Sequence, residues 1–404
     1  MVQVSFDGLT VSLEDVQDNP ARYARQLERA KKSPGYAVCG CRERVAGRLL
    51  RLVVRRYGAL FHLARWPDDG PNHDEISCPF YAAASIKDGR APDALSAIQQ
   101  TSSGLNVKLD AALSVRTVER SIRAEGGSSV ATTTRRAAPL LGFLQRIWLE
   151  AGLHVWQAGS TRGWGQCNAQ LVAALGDGKL NGKPIHEVLH VMRRHDESQA
   201  QSIVAEFNAF LDEITTTPHV SQRRLVLGEL RGVVASKYGF VVTLRQTKRT
   251  FFASTPVIES AAASFRSAWA MTGNASARVV ILALVERTRD GNLRIIDLAL
   301  QLCSSSFVPC DSSYEVEMAN RLVAERRRFI KPLRLEAGDV MLPDFQLTDT
   351  RQPTAIEIYG MQGNEQYLAR KKEKQALYAR DAKPCVEWIP PADLASVPLP
   401  KPLP

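Results

Sequence analysis

Two thiols flank a single glycine in Cys39-Gly-Cys41, and His73 and Cys78 follow, so any fold of this chain must settle whether those four side chains meet. Three thiolates and one imidazole are the donor set of a tetrahedral zinc site, and a Cys-x-Cys spacing across a Gly turn lets both sulfurs face one ion. His73 shares the loop Pro71-Asn-His-Asp-Glu-Ile-Ser-Cys78, which favours it as fourth ligand. His62, on the alternating segment Leu60-Phe-His-Leu-Ala-Arg-Trp66, is the alternative. Four protein ligands leave no open position, so this zinc would be structural, joining loops with little core of their own. Unliganded thiols are the competing reading. Seven cysteines in 404 residues are too few and too uneven for a disulfide scaffold.

Length makes one core insufficient and argues for several domains. The pattern reads as an α+β multidomain chain. Residues 1–103 form a β-rich module holding the zinc ligands, with a helix near Pro20 to Lys32 that turns Tyr23, Leu27 and Ala30 to one side. Residues 104–221 read as a linker and helical region: a loosely ordered Ser/Thr/Ala/Gly stretch from Gly104 to Thr134, helices near Arg136 to Ala151 and Gln166 to Leu175, a turn at Gly176-Asp-Gly, then helices again from His186 to Ile214. His186, His190 and His195 would lie near one helical face, without a fourth ligand. Residues 222–309 form a hairpin-rich α+β domain, with Val233 to Leu244 and Thr250 to Ala253 before a helix, and Val279 to Val285 paired with Leu293 to Leu300 after it. A further domain occupies 310–395, and 396–404 is a Pro-rich tail.

The longest aliphatic run, Val279 to Val285, is far short of the roughly 20 residues that a membrane-spanning helix needs. The N-terminal residues lack the basic and apolar regions of a secretion signal, so a cytoplasmic protein without membrane partners is expected. Hydrophobic residues at 45% and charged residues at 23% exclude disorder and a coiled-coil rod. A formal net charge of +10 points to a polyanionic partner, because each Lys or Arg set on a phosphate releases condensed counterions.

Chemistry concentrates at the C-terminal end. A helix capped by Ser312 carries Glu315; the strand-like Val340-Met-Leu-Pro-Asp344-Phe-Gln-Leu and Ala355-Ile-Glu357-Ile-Tyr-Gly360 follow; a second helix sets Tyr367, Lys371, Lys374 and Tyr378 on one side. Asp344 and Glu357 converge if both face the same side of a sheet, and carboxylate oxygens so placed suit Mg²⁺ or Mn²⁺. Arg326, Arg327, Arg328, Lys331 and Arg334 lie within one segment and suit phosphates.

Pro343-Asp344, Glu357 and the upstream helical Glu315 resemble the PD-(D/E)XK nuclease superfamily, whose core is a mixed sheet flanked by helices. That resemblance implies a restriction-endonuclease-like domain that cuts DNA with Mg²⁺ or Mn²⁺, Asp344 and Glu357 binding the ion and Glu315 orienting the attacking water. The superfamily expects Lys two residues after the second acid, where this chain has Tyr359. Some members carry that Lys on the next helix, and Lys374, with Lys371 a turn earlier, fits the migrated position. Over the whole chain, Cys-x-Cys, His-Leu-Ala-Arg-Trp-Pro, the His-x4-Cys loop and Glu-Ile-Tyr-Gly resemble an uncharacterised family carried on bacterial integrative and conjugative elements, which implies conjugative-element proteins as partners. Tyr359 keeps a second reading open: a DNA-binding or assembly factor whose nuclease fold is degenerate.

Overall fold

The computed structural model describes residues 2–82, 97–101, 104–116, 139–333, 341–360 and 365–403. Arg334 and residues 117–134 of the expected connection lie outside them. No helix among the described residues is long and apolar enough to cross a membrane.

The first sheet is antiparallel, in the order Leu9–Ser12, Gln3–Phe6, Ala37–Cys39, Leu50–Tyr57, Leu60–Arg65. Helix Ala24–Lys32 lies on it, burying Leu27 and Ala30, with Tyr23 just before its first residue, so its apolar side is core rather than a partner surface. These residues join Val4, Leu50, Leu52 and Cys78 in one apolar cluster running from Val2 to Phe80.

A second cluster runs from Leu105 to Val397 and takes in all three remaining regions. Where a loosely ordered connection is expected, Leu105–Val107 and Ser114–Arg116 are strands. Where helices are expected from His186 to Ile214, helices Ile185–Val188 and Ala200–Asp212 form, but the strand Leu189–Val191 lies between them. The three histidines therefore share no helical face. His190 sits on the strand between the rings of Phe207 and Phe210, 4.9 and 5.1 Å away, and burial lowers its pKa to about 4. A neutral imidazole filling an aromatic slot accounts for it without a metal.

Strands Arg224–Ser236, Gly239–Leu244, Thr250–Ala253, Leu293–Ser304 and Ala277–Arg287 follow one another edge to edge, and the last pairs back with the first. Five strands of this six-stranded sheet thus close as a barrel, and Leu189–Val191 adds parallel to the first of them. Within the barrel the first strand divides its length between two partners: Arg224 to Glu229 pair with the Ala277–Arg287 strand, Leu230 to Ser236 with Gly239–Leu244, and the register shifts between Leu230 and Gly232 at the change-over. Helices Thr255–Ser264 and Arg266–Ala270 pack Ile258, Ala261 and Ala268 into the core between the third and fourth strands in sequence.

The last sheet has the order Cys385–Trp388, Thr354–Ile358, Phe345–Leu347, Phe329–Ile330, Val155–Trp156. From helix Ser313–Ala324 the chain makes three antiparallel strands, crosses over through helix Glu365–Arg380, and returns parallel to Thr354–Ile358. An edge strand comes from far upstream, Val155–Trp156 pairing with Phe329–Ile330. Arg327 fixes the start of this sheet, its guanidinium donating to both oxygens of Asp349 at 2.8 and 2.7 Å, while the Arg328 N–H donates to the same carboxylate at 2.9 Å. Burial opposes the charge on Asp349, yet these donors hold its carboxyl below the usual range. Both side chains are 3% exposed, so Arg327→Ala strands a buried carboxylate and should cost about 3–5 kcal/mol in urea denaturation.

Candidate functional site

Cys39 ends a strand, Cys41 follows on the Gly40 turn, and His73 and Cys78 bracket the loop that folds back over them. The four donor atoms all lie within 4.8 Å of one another. Cys39 Sγ is 3.7 Å from Cys78 Sγ, and His73 Nδ1 is 3.4 Å from the sulfurs of both Cys41 and Cys78. A tetrahedron with metal–sulfur bonds near 2.3 Å has sulfur–sulfur edges of about 3.8 Å, so the cluster already has the required size. His73 is fully buried and its Nε2 has no hydrogen-bond partner, while Nδ1 faces the sulfurs. His62 is not part of the group; it is buried on its strand, where burial pushes its pKa down to about 3.

Electrostatics explain what three crowded thiols need. The hydrogen bonds that Cys41 accepts from Cys39 and Cys78, with further help from His73 and the Asp74 N–H, hold its thiol far below the ordinary range. In consequence Cys39 is pushed up to about 12, and Cys78 also rises. One thiolate is tolerated; three require a cation. The cluster therefore has the donor set and spacing to hold a metal ion such as zinc.

The second constellation lies on the C-terminal sheet. Phe345 pairs with Ile356 in antiparallel register, which sets Asp344 opposite Glu357 on the same face. Asp344 Oδ2 accepts the Ile358 N–H at 2.7 Å, pinning the half-buried Asp344 to that strand. Glu357 is 1% exposed; its Oε2 accepts from Lys374 Nζ at 2.7 Å and its Oε1 from the Tyr378 hydroxyl at 2.5 Å. Lys374 also donates to the Leu342 carbonyl at 2.8 Å, so its ammonium ties Glu357 to the segment that leads into Asp344. Burial raises the Glu357 pKa, Lys374 and Tyr378 oppose the rise, and the nearby Asp344 charge adds to it.

Glu315 projects from the first turn of its helix, where Ser312 Oγ accepts its N–H. Its Oε2 accepts from Lys331 Nζ at 2.6 Å and from the Asp311 N–H at 3.0 Å. Burial pushes the Glu315 pKa up to about 7 against the pull of Lys331, and the charge of Asp344 acts on it as it does on Glu357. The Asp344 charge thus links Glu315 and Glu357, each of which is paired with a lysine of its own, Lys331 and Lys374. Lys371 stands with its amine 4.3 Å from the centroid of the Tyr359 ring.

The basic segment needs correcting. Arg327 is buried against Asp349, and Lys331 donates to Asp311 at 2.8 Å and to Glu315. Both charges are spent inside the protein, where each holds a buried carboxylate that would be costly without its partner. Arg326 remains exposed and Arg328 half-buried, so the run offers two guanidinium groups to a phosphate rather than a continuous stripe.

Two participants escape a linear reading. Asp311 is the second partner of Lys331. Glu387 pairs in register with Glu357 on the parallel neighbour and accepts from the Gln375 side chain at 2.8 and 3.0 Å, putting a third carboxylate in the same row. Tyr378 was traceable, since it lies one helical turn after Lys374.

Metal analysis of protein purified without chelators should find about one zinc per chain, and Cys78→Ser should lower both that content and the melting temperature, by about 5 °C or more. Zinc-free wild-type protein of unchanged stability would contradict the site.

No curated protein and no solved structure matches the chain. One family model does, over residues 10–391, and with nearly the whole length covered the chain belongs to that family, DUF1173, a family of proteins of unknown function.

Proposed function

We propose that the protein is a metal-dependent DNA nuclease of the PD-(D/E)XK type, with a structural zinc in its N-terminal module. The observation that carries this reading is the Lys374 ammonium 2.7 Å from Glu357, with Asp344 opposite on the neighbouring strand. An acid at the head of one strand, an acid on the next and a lysine above both make the superfamily's catalytic set with its lysine moved to the following helix. The order helix, three antiparallel strands, helix, parallel strand supports the same reading.

Asp344 and Glu357 offer hard oxygen donors on one sheet face, which fits an ion that takes one or two carboxylates and fills its remaining positions with water and phosphate oxygens. Bound there, Mg²⁺ or Mn²⁺ would supply Lewis-acid polarisation of the phosphate and lower the pKa of water. Glu315 would orient the attacking water from the neighbouring helix. As the water oxygen bonds to phosphorus and one P–O ester bond breaks, the water's proton ends on the departing alcohol, leaving a phosphomonoester and a hydroxyl. Lys374 would stabilise the charge that gathers on the phosphate oxygens in between, an interaction made mainly in the transition state. Arg326 and Arg328 would contribute phosphate contacts. The resemblance to proteins of integrative and conjugative elements makes the element's DNA the expected substrate.

One observation favours the second reading, a DNA-binding or assembly factor without catalysis. Both Glu357 oxygens already have protein donors, Lys374 and Tyr378, so the carboxylate is satisfied without an ion. Cleavage assays on single- and double-stranded DNA with Mg²⁺ or Mn²⁺ decide between the two. Asp344→Ala or Glu357→Ala should abolish cleavage and leave DNA affinity the same or slightly higher, since each removes negative charge. Lys374→Ala should cost about 10²–10³ in turnover and Lys371→Ala much less. DNA binding with no cleavage by wild-type protein, or cleavage that survives Asp344→Ala, favours the binding factor.

A further inference from the structure

The closed barrel of residues 224–304 has no part in the site above, yet it carries its own chemistry. Numbered along the chain, its strands run 1-2-3-5-4 and back to 1; the third and fifth are parallel, Phe252 pairing with Arg294 and Ala253 with Ile295; and the helices fall between the third and fourth. That is the arrangement of oligonucleotide-binding barrels, whose ligand face is built on strands 2 and 3 with the loop between strands 1 and 2.

The side chains on this face were chosen for something other than water. Strand alternation sends Val233, Val242 and Phe251 inward, and sends Val234, Val241 and Phe252 outward in a single cross-strand row. Val234 is 66% exposed, Phe252 38%, and Tyr238 in the loop between strands 1 and 2 is 86% exposed. Gly239 sets that loop: its φ is +131°, and a Cβ there would lie 2.4 Å from the Ala253 carbonyl oxygen, so Tyr238 stands on a turn that only glycine can close.

Charge identifies the occupant. Between Leu230 and Ile258 there is no Asp or Glu, whereas Arg231, Lys237, Arg245, Lys248 and Arg249 all fall there and all are exposed. Arg245 is paired with Glu229 and Arg249 with Asn208, while Lys237 reaches over the Tyr238 ring with its amine 5.1 Å from the centroid. A flat apolar row with two projecting aromatic rings inside a cationic border fits a polyanion whose bases are free to stack, and a duplex keeps its bases stacked on one another.

We infer that this barrel face binds single-stranded DNA through stacking on Phe252 and Tyr238 within the rim of Arg231, Lys237 and Lys248. The choice of DNA over RNA rests on the nuclease reading; the face itself does not. The test is fluorescence anisotropy of the full-length protein with labelled oligo(dT) of about 20 nucleotides, in EDTA so that nothing is cut. Wild-type protein should prefer oligo(dT) to a duplex of the same length. Phe252→Ala and Tyr238→Ala should each weaken binding about 5- to 150-fold, Phe252→Trp should keep it, and Lys237→Glu with Lys248→Glu should flatten the log–log salt slope by about 1.4. Unchanged melting temperatures establish that the variants are folded. Affinity indifferent to both aromatic substitutions, or equal affinity for the duplex, overturns the proposal, and tighter binding of oligo(rU) overturns its assignment to DNA. Failure of the two readings is separable. Cleavage that needs Asp344 and Glu357 while oligo(dT) binding ignores Phe252 leaves the nuclease and removes the barrel site. Binding that depends on Phe252 in a protein that cuts nothing does the reverse.

Discussion

Everything at the C-terminal constellation hangs on one antiparallel register. With Phe345 opposite Ile356, Asp344 and Glu357 face each other, and the Ile358 N–H bond to Asp344 locks the pair. A slip of one residue would send Glu357 to the opposite face of the sheet, where Lys374 and Tyr378 do not reach. The buried apolar neighbours guard against it: Phe345, Leu347 and Ile356 are fully buried, and a slip would put them where the charges now are. Apolar packing and the chemistry of the site are thus fixed by one pairing. Crowding adds to it at Gly360, just past the strand, where a Cβ would lie 2.8 Å from the Tyr314 ring and push apart the strand and the helix that carries Glu315.

Buried carboxylates recur through the molecule, and in each the protein supplies a cation. Glu357 has Lys374, Glu315 has Lys331, Asp349 has Arg327, and in the barrel Glu286 is held between Arg223 and Arg294. Desolvation makes each carboxylate costly alone, so the pairs are mutually obligatory. The cysteine cluster differs in that its three thiols and one imidazole carry no ion pair among the described residues. Its donor set is one that an ion such as zinc could hold in place of a protein cation.

How much of this was legible in the sequence follows from where each interaction is encoded. Donor chemistry is local: Cys39, Cys41, His73 and Cys78 name themselves by residue type, and choosing His73 over His62 needed only the observation that one lies on a loop and the other on a strand. The helical spacing of Lys371, Lys374 and Tyr378 is local too, though it does not say which of the two lysines turns to the acids. What eluded a linear reading is pairing at a distance. Arg327 and Lys331 look like members of a basic stripe because their partners, Asp349, Asp311 and Glu315, are set by tertiary packing. The apolar spacing that follows His186 suits a helix, but the barrel's first strand offers Leu189 to Val191 a parallel partner, and that overrides propensity. Barrel closure is beyond any local pattern, since hairpins are visible one by one and their joining is not.

The strand Val155–Trp156 has a consequence for the order in which the molecule becomes whole. It closes the edge of a sheet whose other members begin at Phe329, and the whole barrel is threaded between. Such a contact joins segments far apart in sequence, so the chain closes a long loop before that edge is covered. On a ribosome the edge strand emerges early and waits, its own partner still unmade. A fragment cut to the C-terminal sheet alone would present Phe329–Ile330 as an open edge, the sort of surface on which chains add to one another. The C-terminal sheet is therefore contiguous in space but not a separable cassette, and recombination that exchanged it between relatives would have to carry residues from the middle of the chain along with it.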